Sequence, residues 1–200
     1  MDNKQKFKIL INISLCACLM FFVLSFIGMY FYAGGSMFYN KTIDVFFDYP
    51  YSHSLNFFSD LGLYHSWSGE PNIISNFFFS YSLFSVVIGM FSFYSAFHLI
   101  LKKDRNLVLP SKIAILVISI SSIGFMLVGF TPADLMPKEH MFSVNLAFRS
   151  FLIAMLMYCY LIFRSNYLGN HLAIVYFVLF CLVGYYVYII IAFPTLPPPI

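Results

Sequence analysis

The run "NIISNFFFSYSLFSVVIGMFSFYSAFHLIL", residues 72–101, contains no Asp, Glu, Lys or Arg. A helix needs about 20 consecutive apolar residues to cross the hydrocarbon of a bilayer. It can do so because it bonds its own backbone groups, which find no water there. This run therefore reads as a membrane-spanning helix. Four more runs of the same kind accompany it, at about 7–33, 107–130, 141–163 and 171–193. The fifth is followed by "PTLPPPI", where proline bars the helix by lacking an amide and crowding the preceding turn.

The composition agrees. Hydrophobic residues make up 61% of the chain and charged residues only 10%. A soluble domain carries about 25% charged residues, so this chain cannot cover a water-facing surface. The sequence predicts an all-α fold: one polytopic membrane helix bundle over residues 1–200, with five transmembrane helices. Aromatic residues reach 21%, suited to lipid-facing surfaces and to the interface. The net charge of +3 comes with no basic run able to track a phosphate backbone, so nucleic acid is not an expected partner. Membrane lipids are. Cys16, Cys18, Cys159 and Cys181 sit in apolar runs and read as small buried hydrophobes, with no disulfide framework or thiolate metal site.

The first run begins after the basic "KQKFK". Its apolar core far exceeds the roughly 7–15 residues of a signal-peptide core, so it reads as a retained signal-anchor helix. Basic residues set orientation. With the N-terminus in the cytoplasm, Lys4, Lys6, Lys8, Lys102, Lys103, Arg105, Lys112 and Arg164 lie inside, and Lys41 and Lys138 outside. The expected location is a cell membrane, or an endomembrane in a eukaryote. Asn40-Lys41-Thr42 forms a glycosylation sequon on the outer side.

That orientation places a long aromatic loop, residues 34–71, outside. It contains "NFFSDLGLYHSWSGEPN", residues 56–72, a polar island in an apolar chain. The loop is too aromatic to stay in water, so it is expected to lie on the membrane or fold over the helix ends as a lid. A short helix at about 54–63 fits it, with Gly62 supplying a sharp turn through positive φ. The second outer loop, "TPADLMPKEH" at residues 131–140, opens on the same face. Asp60, Asn76, Asp134 and His140 are therefore expected around one pocket, satisfying one another. Each also has a plainer reading, as a cap, a turn or an interfacial group.

Arg149 lies within the fourth run. A charge there costs about 2.5–3.5 kcal/mol, so it is expected to face the interior. It reads as the partner of Asp60 or Asp134, as a clamp for an anionic headgroup, or as a side chain that snorkels to the interface. Histidines and carboxylates suit zinc. No HExxH and no paired histidines on one turn appear, so neither a metal nor another cofactor is assigned. Ser75, Ser80, Ser82 and Ser85, and Ser119, Ser121 and Ser122 beside Gly124 and Gly129, read as small residues that let helices approach closely.

"FFSDLG", an Asn at the top of the next helix, and "VGFTPAD" followed by His140 at a helix start together resemble the family called domain of unknown function 998. They are similar, more distantly, to the Frag/DRAM/Sfk membrane family. The resemblance covers roughly residues 55–150. It implies a multi-pass fold, usually of six helices, and points at Ser59, Asp60, Gly62, Asn76, Pro132, Asp134 and His140. It implies a site and no particular reaction. The leading expectation is a non-enzymatic protein that binds a lipid headgroup or small polar ligand through Ser59, Asp60, Asn76, Asp134, His140 and Arg149. The alternatives are an intramembrane metal-dependent lipid hydrolase and a small transporter.

Overall fold

A computed structural model describes residues 2–37 and 50–192 of the chain, without the side chains of residues 190–192. The sequon at Asn40 and the charges at Lys41, Asp44 and Asp48 lie outside the described residues. The described chain is all-helical. It runs α1 (Asn3–Tyr30), α2 (Ile73–Leu101), α3 (Val108–Phe130), α4 (Pro137–Arg164) and α5 (Asn170–Ala192). Five helices are long and apolar enough to cross a membrane, consistent with a multi-pass membrane protein.

Local chemistry sets the helix ends. Asp2 accepts the Gln5 amide at 2.7 Å and the Gln5 side chain returns to the Asp2 amide, a reciprocal capping pair that starts α1 before the apolar run begins. α1 ends ahead of Gly34 and Gly35, which adopt φ of 96° and 82°. A side chain at Gly35 would also collide with the backbone of Trp67 and Ser68. α4 starts a full turn earlier than the apolar run suggests. Pro137 opens it, at a position where the missing amide costs nothing.

The chain forms two compact units. Among the described residues, the loop unit comprises residues 18–37, 50–86 and 125–144. Its core joins Tyr32, Leu61, Phe79, Leu83 and Val128, with Met29, Tyr51, Phe58, Trp67 and Val144 packed against them. Leu61 and Leu63 are buried, so the described second half of the α1–α2 connection, residues 50–72, is folded inward as a lid rather than extended. The expected helix near 54–63 is a shorter 3₁₀ turn, Phe58–Gly62. Gly62 is needed for a different reason than expected. Positive φ occurs only at Gly34, Gly35 and Gly69 among the described residues. At Gly62 an added Cβ would lie 2.5 Å from the Phe79 ring, so the glycine permits contact and makes no turn.

Among the described residues, the helical unit comprises residues 2–17, 87–124 and 145–192. Its core joins Tyr94, Leu101, Leu107, Ala114, Ile118, Ala154, Tyr158 and Leu161. Aromatic rings fill it, with the centroids of Tyr94 and Tyr158 4.4 Å apart. α3 and α4 meet at small residues. A Cβ at Gly124 would lie 2.5 Å from the Ala147 amide nitrogen, and Ser121 donates to the Ala147 carbonyl at 2.9 Å. Asp104 accepts from the Asn166 amide, the Asn166 side chain and Ser165, tying the α2–α3 and α4–α5 connections together.

Candidate functional site

The polar island belongs to the loop unit, and its geometry follows from a backbone problem. At residues 61–65 the 3₁₀ turn gives way to irregular backbone, with Leu61, Gly62 and Leu63 buried. The carbonyls that end the turn and the amides that follow it have no next helical turn to bond, and an unpaired buried backbone group costs as much as a lost hydrogen bond. Side chains from α2 and from the α3–α4 connection meet that demand. Asn72, 1% exposed, accepts the Ala33 amide at 3.1 Å and donates to the Leu61 and Leu63 carbonyls at 3.2 and 3.0 Å. Ser75 donates to the Leu61 carbonyl at 3.1 Å and Asn76 to the Gly62 carbonyl at 2.6 Å. Asp134 accepts the Tyr64 and His65 amides, each at 2.9 Å. His65 Nδ1 also lies 3.6 Å from its carboxylate.

His140 is buried at the start of α4. Its Nδ1 lies 2.6 Å from the Thr131 carbonyl, which can only accept, so that nitrogen carries the proton. Asp60 is 4% exposed. Its carboxylate accepts the Asn56 side-chain amide at 3.2 Å and the Phe57 backbone amide at 3.0 Å, reaching back to cap its own 3₁₀ turn. Ser59 is half-buried in that turn. Burial pushes the Asp60 carboxyl up to about 6, against the pull of Asn56, the Phe57 amide and Trp67. Burial and the Asp60 charge push Tyr51 up to about 12, and Tyr32 is raised by the same two causes. The Trp67 indole N–H is buried close to this carboxylate, yet it has no partner in hydrogen-bond geometry among the described residues.

Three expectations need correcting. Among the described residues no hydrogen bond joins any two of Asp60, Asn76, Asp134 and His140. Asn76, Asp134 and His140 bond backbone, and Asp60 bonds backbone and Asn56, because the irregular loop makes the larger demand. Arg149 does not face inward: it is exposed. The cause is the phase of α4. Ala147 must face α3 to fit against Gly124, and two residues on, Arg149 is turned about 200° away. Among the described residues the ion pair is His65 with Asp134, so the expected partnership of Arg149 with an aspartate is replaced by a clamp on the loop backbone.

The structure adds residues that the sequence did not single out as a group. Tyr32, Tyr51, Asn56 and Trp67 surround Asp60, and Asn56 also donates to the Gly35 carbonyl at 2.9 Å. The one available signal was Asn56 four residues before Asp60 in the same island. Among the described residues, no three His, Cys, Asp or Glu side chains converge as a metal ion requires. In the helical unit an open groove of about 360 Å³ is lined by Lys6, Ile9, Leu10, Ser95, His98, Leu99 and Ile115. Its walls are mostly apolar and suit an acyl chain rather than a reacting group.

Compared with family models, curated proteins and solved structures, the chain matches none.

Proposed function

We propose that this multi-pass membrane protein is a binding protein, not an enzyme, and that its loop unit recognises a lipid headgroup or a small polar ligand on the outer membrane face. One observation carries the reading: a buried carboxylate and the Trp67 indole N–H lie together beneath an aromatic lid, the indole pulling on the carboxylate without closing a well-formed hydrogen bond. A buried donor without a partner costs about 1–3 kcal/mol, which a ligand oxygen would recover. The complementary group is a ligand ammonium or hydroxyl that donates to Asp60. A headgroup carrying both, such as phosphoethanolamine, fits this pair. Asn76 and Asp134 hold the loop in place and act on the ligand through it, while His140 ties the start of α4 to Thr131. The resemblance to the multi-pass family rests on the same loop motifs.

Trp67 is the only tryptophan in the chain, so its emission reports on this site alone. Detergent-purified protein is titrated with phosphatidylethanolamine, phosphatidylglycerol and phosphatidylcholine. A saturable change in emission is expected for one headgroup class, and it is lost in Asp60→Asn with the thermal transition retained. Equal, non-saturating responses to all three lipids would overturn the reading.

A further inference from the structure

Arg149 sets a problem that the loop unit does not address. It lies twelve residues after Pro137 and fifteen before Arg164, about 18 Å and 22 Å from the ends of α4. With hydrocarbon about 30 Å thick, a centred α4 puts this guanidinium near the middle of the bilayer. It is exposed, and no hydrogen bond or ion pair within the described chain engages it. Facing lipid there costs about 2.5–3.5 kcal/mol, and a guanidinium cannot shed its charge to escape that cost.

The surroundings of Arg149 have a pattern. Ile153, Leu156, Tyr160 and Phe163 are all exposed, at 56%, 52%, 58% and 63%. With Arg149 they are spaced four, three, four and three residues apart. That is the heptad spacing by which one helix packs along another. The opposite stripe of α4, Ala147, Ala154, Tyr158 and Leu161, is buried within the chain's own helical unit. α4 therefore has two helix-packing stripes, of which the chain itself covers one.

From this seam and its charge we infer that α4 docks a membrane-spanning helix of another protein, and that the partner helix carries an Asp or Glu near its midpoint. A carboxylate meets a guanidinium with two parallel hydrogen bonds, and in hydrocarbon the pair removes a cost both helices otherwise bear. A second copy of this chain cannot be the occupant. Copies in one membrane share an orientation, so this seam packed on itself would place two guanidiniums at equal depth. The chain also offers no carboxylate at that depth: within its five spans the only acid is Glu139, in the first turn of α4, about 15 Å from Arg149 along the axis.

The test uses the full chain reconstituted in phosphatidylcholine vesicles with a labelled synthetic spanning peptide. The peptide is a Leu/Ala core with Lys ends and a single central Glu, and control peptides carry central Gln or Leu. Energy transfer measures association. The Glu peptide should bind about five- to tenfold more tightly than either control, in keeping with polar contacts between membrane helices. Arg149→Leu should abolish that preference, and Arg149→Glu should move it to a peptide with a central Arg. Equal binding of the Glu and Leu peptides would overturn the inference, because the guanidinium then reaches lipid phosphate instead. So would a Glu preference that survives Arg149→Leu.

Discussion

The loop unit and the helical unit hold themselves together with opposite chemistry. In the loop unit, polar side chains from α2 and the α3–α4 connection bond the backbone of residues 61–65, where the 3₁₀ turn gives way to irregular chain. In the helical unit, the serines of α3 bond their own helix or one neighbouring carbonyl, while rings and small residues make the contact. The difference follows from the backbone. A helix satisfies its own amides and carbonyls, so packing helices asks only for shape. A buried loop leaves those groups unpaired, and each needs a dedicated partner. A polar residue therefore has structural weight in proportion to the irregular backbone around it.

The lone tryptophan allows the two units to be followed separately, Trp67 emission for the loop unit and far-ultraviolet ellipticity chiefly for the helices. The largest effect should come from Asn72→Ala, which strands three backbone groups at about 1–3 kcal/mol each. The Trp67 transition should fall by the equivalent of about 3 kcal/mol or more, ahead of the ellipticity transition. Ser119→Ala removes a hydroxyl that bonds its own helix, and should change either transition by less than about 0.5 kcal/mol. If the two substitutions have similar effects, the contrast between the units is wrong.

Gly124→Leu should act in the opposite unit. Its Cβ would press on the backbone of Ala147, which cannot rotate away, at a cost of about 2–3 kcal/mol. Here the ellipticity transition should fall first. Were both transitions to fall together in Gly124→Leu and in Asn72→Ala, the units would unfold as one body.

The loop unit should also depend on pH. Asp60 titrates near 6 in the folded chain and near 3.8 when unfolded, so the native state binds more protons between those values. Its contribution to stability is present below pH 3.8 and is lost as the pH rises through about 6. The Trp67 transition should weaken by up to about 3 kcal/mol over that window, and Asp60→Asn should flatten the profile. Asp104 has the opposite sign. Hydrogen bonds from Asn166, foremost its side-chain amide, hold its carboxyl below the usual range, and its stabilisation is lost as the pH falls through that lowered value. A wild-type profile that is flat across the Asp60 window would show that this carboxylate is not enclosed.

How much of this was legible in the sequence depended on which physical term wrote it. The five spans were legible because hydrocarbon demands long apolar runs. Gly124 was legible as a packing residue because small side chains have few other uses inside a membrane helix. Gly62 was noticed for the wrong reason, since a close approach to Phe79 and a positive φ leave the same letter in a sequence. The Asp134 clamp was illegible because its partners are the backbone amides of Tyr64 and His65, which any residue but proline provides. The direction of Arg149 was illegible because both long stripes of α4 are apolar, and hydropathy alone does not separate lipid from protein. Only the fit of Ala147 against Gly124 fixes the phase.

The Asp134 bonds to Tyr64 and His65 join positions 70 and 69 residues apart. Chains emerge from ribosomes at about 5–20 residues per second, so the loop exists for roughly 4–14 seconds before Asp134 is made. Asn72 and Ser75 arrive almost at once and can seat Leu61 and Leu63 early. The final closure must wait until α3 has been synthesised. Assembly is therefore ordered in time: the lid is laid down beside α2 first and locked only when the chain returns to the same face.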